Sequence, residues 1–537
     1  MALPSDRPNI LLITSDQQHW RTLGFNNPKI QTPNLDRLAG LGTRFDRAYC
    51  ANPTCTPTRA SLITGMWPSA HGAYTLGTKL PESTPTVGQV LRAAGYRTAL
   101  IGKAHFEPLE STAEVDSKES YPRLRDLDYW RTFNDRCTPW YGFEHVELGR
   151  MHGDEGHVGQ HYALWLQEQG LSHWREFFQP RQDGIRDTPH DGRQAPPLPP
   201  GPGFGWRTDM HWKLPAQYHY TTWTGLRTNA RIEAAARDGV PFFLWSSYHD
   251  PHPPYCVPEP WASLYNPDDL DDQVGAFQPG EFDRMPLPHQ MTRDPRADFG
   301  RFNVDGHYTH GYHPHWIDGV TLTRRQMREA IAIYYGMISF MDAMIGTTLD
   351  TLQRLGQLDR TLIVFTSDHG HFLGQHGLIA KGPFHYEDVL RVPMIAAWPG
   401  RIPAGGRTDS LQTLVDYAPS FLEAAGVEVP LWMQGHSQLA DWCGRPSQSR
   451  RQAVIVENHH NGAAVHLRTV VTSRYKLTVY RGRPEWGELF DLQADPHERQ
   501  NQYDNPAFAS LRAQLMQQMI DADLEREPAP NRRVAGA

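Results

Sequence analysis

Short β-branched and leucine-rich runs, each closed by a polar cluster, recur along the chain at residues 10–14, 98–101, 242–246, 362–366 and 394–398. Runs apolar at consecutive positions suit strands buried on both faces. Between them the apolar spacing becomes helical and carries start and stop signals. Thr32-Pro33 opens a helix over 34–39, and Thr86 opens another that Gly95 closes. Residues 323–355 are long and periodic and lead, through 356–360, into the strand at Leu362. Alternating strand and helix predicts an α/β fold around a mostly parallel, doubly wound sheet.

Two stretches break the pattern. Residues 183–205 contain Pro-Pro-Leu-Pro-Pro-Gly-Pro-Gly, too rich in Pro and Gly for a regular element, and read as a loop or insertion. Residues 305–318 pack His307, His310, His313 and His315 among aromatics and Gly; without helical i, i+4 spacing they read as a polar surface or lid loop rather than a metal site. From about Ser447 the texture changes to alternating segments at 453–457, 466–472 and 475–480, then a helix near 507–520. This predicts an α/β domain over 1–446, carrying both insertions, and a smaller antiparallel-sheet and helix subdomain over 447–537.

Composition narrows the partners. With 537 residues, the chain can hold three or four domains of about 150 residues, or one large domain with additions. A formal charge of -8 is too small over this length to indicate nucleic acid or an anionic membrane. Five cysteines at irregular spacing, with no CxxC pair, argue for reduced thiols. The N-terminal residues lack the regions of a signal peptide, so the expected location is cytoplasmic. The apolar run 330–341 falls short of the roughly 18 residues that suggest a membrane span and reads as a buried helix.

In an open parallel sheet, reactive groups gather at the carboxyl edge. Four predicted strands end in chemistry: Asp16 and Gln17; Lys103 and His105; His249, Asp250 and His252; Asp368 and His369. Each alone reads as a cap, a turn or a satisfied polar group. If the strands are parallel and adjacent, carboxylates, an amide, imidazoles and an ammonium converge on one rim, a mixture suited to a divalent cation and an anionic substrate. A fifth element, Cys55-Thr-Pro57-Thr-Arg59-Ala-Ser-Leu-Ile-Thr64-Gly65, places a thiol at the entry of a short helix, where the dipole would favour a thiolate.

This last segment matches C-x-P-x-R-x-x-x-x-T-G at every specified position, and the chain there resembles the sulfatase family. The resemblance extends from Pro8-Asn9 to Glu488-Leu-Phe-Asp-Leu492 and Asp495-Pro496. It implies a large mixed sheet sandwiched by helices, with a smaller C-terminal antiparallel-sheet subdomain. It also implies oxidation of Cys55 to formylglycine by a formylglycine-generating enzyme that reads Pro57 and Arg59. Hydrolysis of an organic sulfate ester would then run through a covalent sulfated intermediate: one geminal hydroxyl of the aldehyde hydrate attacks sulfur and the other expels sulfate.

By the same resemblance, Asp16, Gln17, Asp368 and His369, with the modified Cys55, are the metal ligands. Asp-Gln and Asp-His replace the commoner Asp-Asp and Asp-Asn and are similar to the choline sulfatase and phosphonate monoester hydrolase branch. One carboxylate fewer and an imidazole more open the site to manganese as well as calcium, with magnesium a third choice. Arg59 is implied to hold the hydrate, Lys103 and Lys381 sulfate oxygens, and His105 the proton of the second hydroxyl. His252 or Lys381 is implied to assist the leaving alkoxide. His249, His371, His376 and His385 read as supporting or structural residues.

Two rivals remain. A phosphonate monoester or phosphodiester hydrolase of the alkaline phosphatase superfamily needs the same groups, though the Lys103-x-His105 pair favours sulfate, and some activity on both is expected. A non-catalytic glycan- or anion-binding homologue would lack formylglycine. The aromatic stretch Trp206, Trp212, Tyr218, Tyr220 and Trp223 reads as packing before sugar stacking. Sugar, aryl and choline sulfates are not distinguished, nor is the oligomeric state.

Overall fold

The structure, a computed structural model, describes residues 7–121, 123–179, 210–270, 277–294, 322–446, 450–459 and 465–526. The predicted insertions at 183–205 and 305–318, and Trp206, lie outside the described residues.

The strands in chain order are β1 Asn9–Ser15, β2 Thr43–Tyr49, β3 Arg97–Gly102, β4 His145–Leu148, β5 Phe242–Ser247, β6 Thr361–Ser367, β7 Phe372–Leu373 and β8 Ile379–Ala380. They continue with β9 Arg391–Val392, β10 Met394–Ala397, β11 Gly406–Thr413, β12 Ala453–His459, β13 His466–Thr472, β14 Tyr475–Tyr480 and β15 Gly487–Asp491. The large sheet runs β11-β2-β10-β6-β1-β5-β3-β4, with β9 beside β2. From β6 through β4 every pairing is parallel. The strand predicted at 394–398 departs from the others, because β10 pairs antiparallel with both β6 and β2. An apolar run records burial on both faces but not strand direction.

Alternate residues of the central strands enter two cores. Ile10, Leu12, Phe243 and Trp245 point to one face, where the helices Cys55–Thr64, Val87–Ala93 and Tyr417–Ala424 pack. Leu11, Ile13 and Leu244 point to the other, under Pro33–Leu41, Tyr220–Asp238 and Arg324–Arg354. Local signals agree with these elements. Thr86 and Thr323 each close a capping box, with Gln89 and Gln326. Helix Arg324–Arg354 is long and apolar enough to cross a membrane by length and composition, yet 89% of its most apolar window is buried inside the protein. Its hydropathy is that of a helix packed under a sheet.

Strands β12 to β15 form a separate antiparallel sheet. Leu515 and Met519 of helix Ala509–Glu525 pack on Ile455, Val470 and Leu477 of that sheet, together with Trp67 and Val415 from the large-sheet side. Lys476 of β14 donates to the His385 carbonyl, and Thr469 of β13 is hydrogen-bonded to His385 Nδ1 at 2.7 Å. The small sheet thereby anchors the segment that follows Lys381.

One buried acid in this sheet has a measurable consequence. Burial raises the Glu488 carboxyl to about 7, against the opposing pull of the Tyr480 hydroxyl and Lys476. Below about pH 4.5 the acid is protonated folded or unfolded; between that pH and 7 only the folded state keeps the proton, so stability falls as pH rises. Glu488→Gln is expected to stabilise the protein at pH 8, by up to about 3 kcal/mol, with little gain at pH 4. Calorimetric unfolding at the two pH values checks this.

Candidate active site

Because β6, β1, β5 and β3 are adjacent and parallel, their carboxyl ends open on one rim, and the four polar clusters meet there. The backbone is shaped for this convergence. A Cβ at Gly102 would lie 1.8 Å from the Ser247 carbonyl, so glycine is needed for β3 to turn there, at φ 106, and let the Lys103 N–H bond Ser247 O at 3.0 Å. Gln17 and His105 hold φ of 65 and 60, left-handed values unusual for residues other than glycine.

Cys55 is the first residue of helix Cys55–Thr64, whose ten residues are all buried. Its Sγ is 3.6 Å from Asp16 Oδ1, 3.2 Å from His369 Nε2, 3.5 Å from Lys103 Nζ and 3.2 Å from Lys381 Nζ. Burial, then the Asp16 charge, pushes the thiol up despite both lysines. The expectation of a dipole-activated thiolate is thus corrected: desolvation in a buried site and the Asp16 charge favour the protonated thiol.

Asp16, Cys55, Asp368 and His369 offer ligand atoms within 4.8 Å of one another. Gln17 is the neighbour of Asp16: its Nε2 is 2.7 Å from His371 Nδ1, while its Oε1 is buried and has no hydrogen-bond partner among the described residues. The residues therefore fit a divalent ion, with two carboxylates, an imidazole and an orphaned amide oxygen. His369 Nδ1 lies 3.0 Å from the Gly370 carbonyl, which sets the tautomer and leaves Nε2 as the donor atom. Burial, with Lys381, lowers the His369 pKa to about 4, so the ring is neutral at neutral pH. His371 continues through Nε2 to the Tyr255 hydroxyl at 2.7 Å and stacks on Tyr334, so it supports Gln17.

Arg59 is fully buried. It donates from Nε to Asp368 Oδ2 at 2.8 Å and from Nη1 to the Lys103 carbonyl and Ser247 Oγ at 3.0 and 2.8 Å. Its Nη2 has no hydrogen-bond partner and lies 4.0 Å from Asp16 Oδ2. Burial alone would raise the Asp16 carboxyl, but Lys103 above all, with Arg59, holds it well below the usual range. Three cations, Arg59, Lys103 and Lys381, thus face two carboxylates, leaving positive charge for an anionic substrate.

The remaining predicted residues divide. His105 keeps a buried Nδ1 without a partner, and burial together with Arg150 and Lys103 holds the ring well below its ordinary pKa. His252 stacks on His152 with centroids 3.8 Å apart. Asp250 turns away from the rim: its carboxylate accepts from the Tyr220 and Thr221 hydroxyls, and only its backbone oxygen reaches Asp16. His249 bonds the Gly149 carbonyl, and His376 pairs with Glu281. Trp212, Tyr220 and Trp223 are buried in a local core with Tyr162. All five cysteines are free thiols.

His152 and Glu155 had no signal in the sequence. They follow β4, a strand of only four residues, in a glycine-containing loop. Asp16, His152 and His252 form a second group able to hold a cation, but Lys103 Nζ sits within it, 2.7 Å from His152 Nε2 and hydrogen-bonded to Asp16. The ammonium fills the place a second ion would take.

Comparison with known proteins identifies the family. The family model described as Sulfatase matches residues 8–427, and one described as N-sulphoglucosamine sulphohydrolase, C-terminal, matches residues 374–525. The chain belongs to the sulfatase family. It is 29% identical to the multifunctional alkaline phosphatase superfamily protein PehA of Trinickia caryophylli, over 94% of this chain and 93% of that one. It is 26% identical to an N-acetylglucosamine-6-O-sulfatase of Bacteroides thetaiotaomicron, over 95% and 85%. The fold is that of the phosphonate monoester hydrolase of Agrobacterium radiobacter, with TM-score 0.72, 22% identity and coverage of 97% and 96%. This sulfatase is an enzyme that hydrolyses sulfate esters, and its rim carries a candidate metal site.

Proposed function

We propose that this sulfatase releases inorganic sulfate from saccharide sulfate esters, using Cys55 oxidised to formylglycine. The observation that carries the reading is the ring of Asp16, His369, Lys103 and Lys381 around Cys55 Sγ, with Arg59 behind it. A saccharide ester is supported by the Bacteroides relative. A divalent ion held by Asp16, Gln17, Asp368, His369 and oxidised residue 55 would supply Lewis-acid activation of a hydroxyl. Calcium, manganese and magnesium all suit oxygen donors with one imidazole.

The chain's own groups do the rest. Lys103 and Lys381 hold sulfate oxygens in a buried site, where charge acts strongly. Arg59 keeps an Nη2 without a hydrogen-bond partner among the described residues, 4.0 Å from Asp16 Oδ2, and its charge acts on position 55. His105, neutral and with an open Nδ1, accepts the proton that leaves as sulfate departs. For the leaving oxygen, Lys381 brings the positive charge, because burial and His152 keep the His252 ring well below its usual pKa and neutral.

The test is hydrolysis of glucosamine 6-sulfate, choline sulfate, 4-nitrophenyl sulfate and a phenylphosphonate monoester, before and after chelation. The sugar sulfate is expected to show the highest kcat/KM and the phosphonate a lower one. Chelation should bring turnover to background, and divalent ion should restore it. A kcat/KM for phosphonate above that for every sulfate would overturn the assignment.

A further inference from the structure

Lys103 is wholly buried, so each of its three ammonium N–H groups needs an acceptor inside the protein. It finds Asp16 Oδ2, Cys55 Sγ at 3.5 Å and His152 Nε2 at 2.7 Å. His152 is itself held from behind. Glu155 Oε2 accepts from the His152 backbone N–H at 3.1 Å and lies 3.0 Å from His152 Nδ1. A carboxylate only accepts, so the ring proton sits on Nδ1 and the Nε2 lone pair faces Lys103. Stacking on His252, at 3.8 Å and 20°, fixes the plane of the ring.

We propose that His152, braced by Glu155, is a positioning residue for Lys103, taking one ammonium N–H while Asp16 takes another, so that the third points at position 55, where it meets the sulfate oxygen assigned to it above. Without it one ammonium N–H loses its acceptor and nothing holds Lys103 back from Asp16, the carboxylate that the proposed ion also needs. An imidazole draws Lys103 aside without adding a negative charge that would repel an anionic substrate. The chain Glu155–His152–Lys103 thus converts a flexible four-carbon side chain into a fixed donor. The inference rests on the function proposed above.

The experiment is a double-mutant cycle on the full-length sulfatase, with formylglycine content at position 55 measured by mass spectrometry and used to normalise kcat. His152→Ala is expected to lower kcat about 10- to 100-fold, the worth of one hydrogen bond to a charged group, with a much smaller change in KM. His152→Gln, whose amide oxygen can accept from Lys103, should regain most of the loss. In a Lys103→Ala background, His152→Ala should change kcat by less than about twofold, because the partner is gone. Independent, multiplying effects of the two alanine substitutions, or equal losses in the Ala and Gln variants, would overturn the proposal. If His152→Ala does not fold, His152→Asn, too short to reach Lys103, takes its place in the cycle with the same expected outcomes. Wild-type protein carrying formylglycine yet releasing no sulfate would instead overturn the proposed function.

Discussion

Cys55→Ala is expected to reduce sulfate ester hydrolysis about 10⁴- to 10⁶-fold, the scale on which removal of a nucleophile is felt. Cys55 stands where two lysines, an aspartate and an imidazole converge, and in its unmodified form burial keeps it a protonated thiol. A buried neutral thiol attacks sulfur poorly, whereas a geminal diol supplies an oxygen nucleophile and a second hydroxyl to collapse the adduct. Cys55→Ser separates the two roles. It keeps an oxygen that can attack but has no aldehyde to re-form, so a single stoichiometric release of alcohol without turnover is expected. Mass spectrometry of the peptide around position 55 should show the loss of sulfur and two hydrogens and the gain of one oxygen. Full activity in Cys55→Ala would remove the nucleophile assignment altogether.

Arg59→Ala is expected to destabilise the fold by about 3–5 kcal/mol, the loss typical when one partner of a buried ion pair is removed. The guanidinium is wholly buried and spans Asp368, the Lys103 carbonyl and Ser247, joining the ends of β6, β3 and β5. Its removal leaves the Asp368 carboxylate in a closed site with only backbone N–H donors from Gln17 and His369. Arg59→Lys should recover little, because an ammonium on a flexible stem lacks the planar fork whose Nε and Nη1 reach Asp368, the Lys103 carbonyl and Ser247 at once. Added divalent ion should restore part of the stability of Arg59→Ala by neutralising Asp368, in proportion to its concentration. Denaturant unfolding with and without metal measures both effects; an unchanged midpoint in Arg59→Ala would show that the pair does not hold the rim together.

Much of this site was legible because its chemistry is local in the chain. The signature from Cys55 to Gly65 is contiguous, and each of the other clusters directly follows an apolar run whose end could be read from residue types. The capping boxes at Thr86 and Thr323 and the buried strands are local in the same sense, set by propensity and burial over a few residues. Where the sequence was silent, the missing information was long-range. Asp250 sits at a strand end like Asp16 and Asp368, yet two hydroxyls from helix Tyr220–Asp238 draw it away from the rim. The direction of β10 depends on partners far away in sequence, which a run of apolar residues cannot name.

By itself, then, the sequence determined which residues are chemically capable and which segments become strands and helices, because those depend on side-chain type and short periodicity. Tertiary structure alone decided that β6, β1, β5 and β3 lie side by side, and so that a candidate metal-ligand group and the cations Arg59, Lys103 and Lys381 share one rim. It alone brought His152 and Glu155, from a loop after a strand too short to leave a pattern, against Lys103. The reason is physical: hydrogen bonds to buried charges act over about 3 Å in space, whatever the separation along the chain.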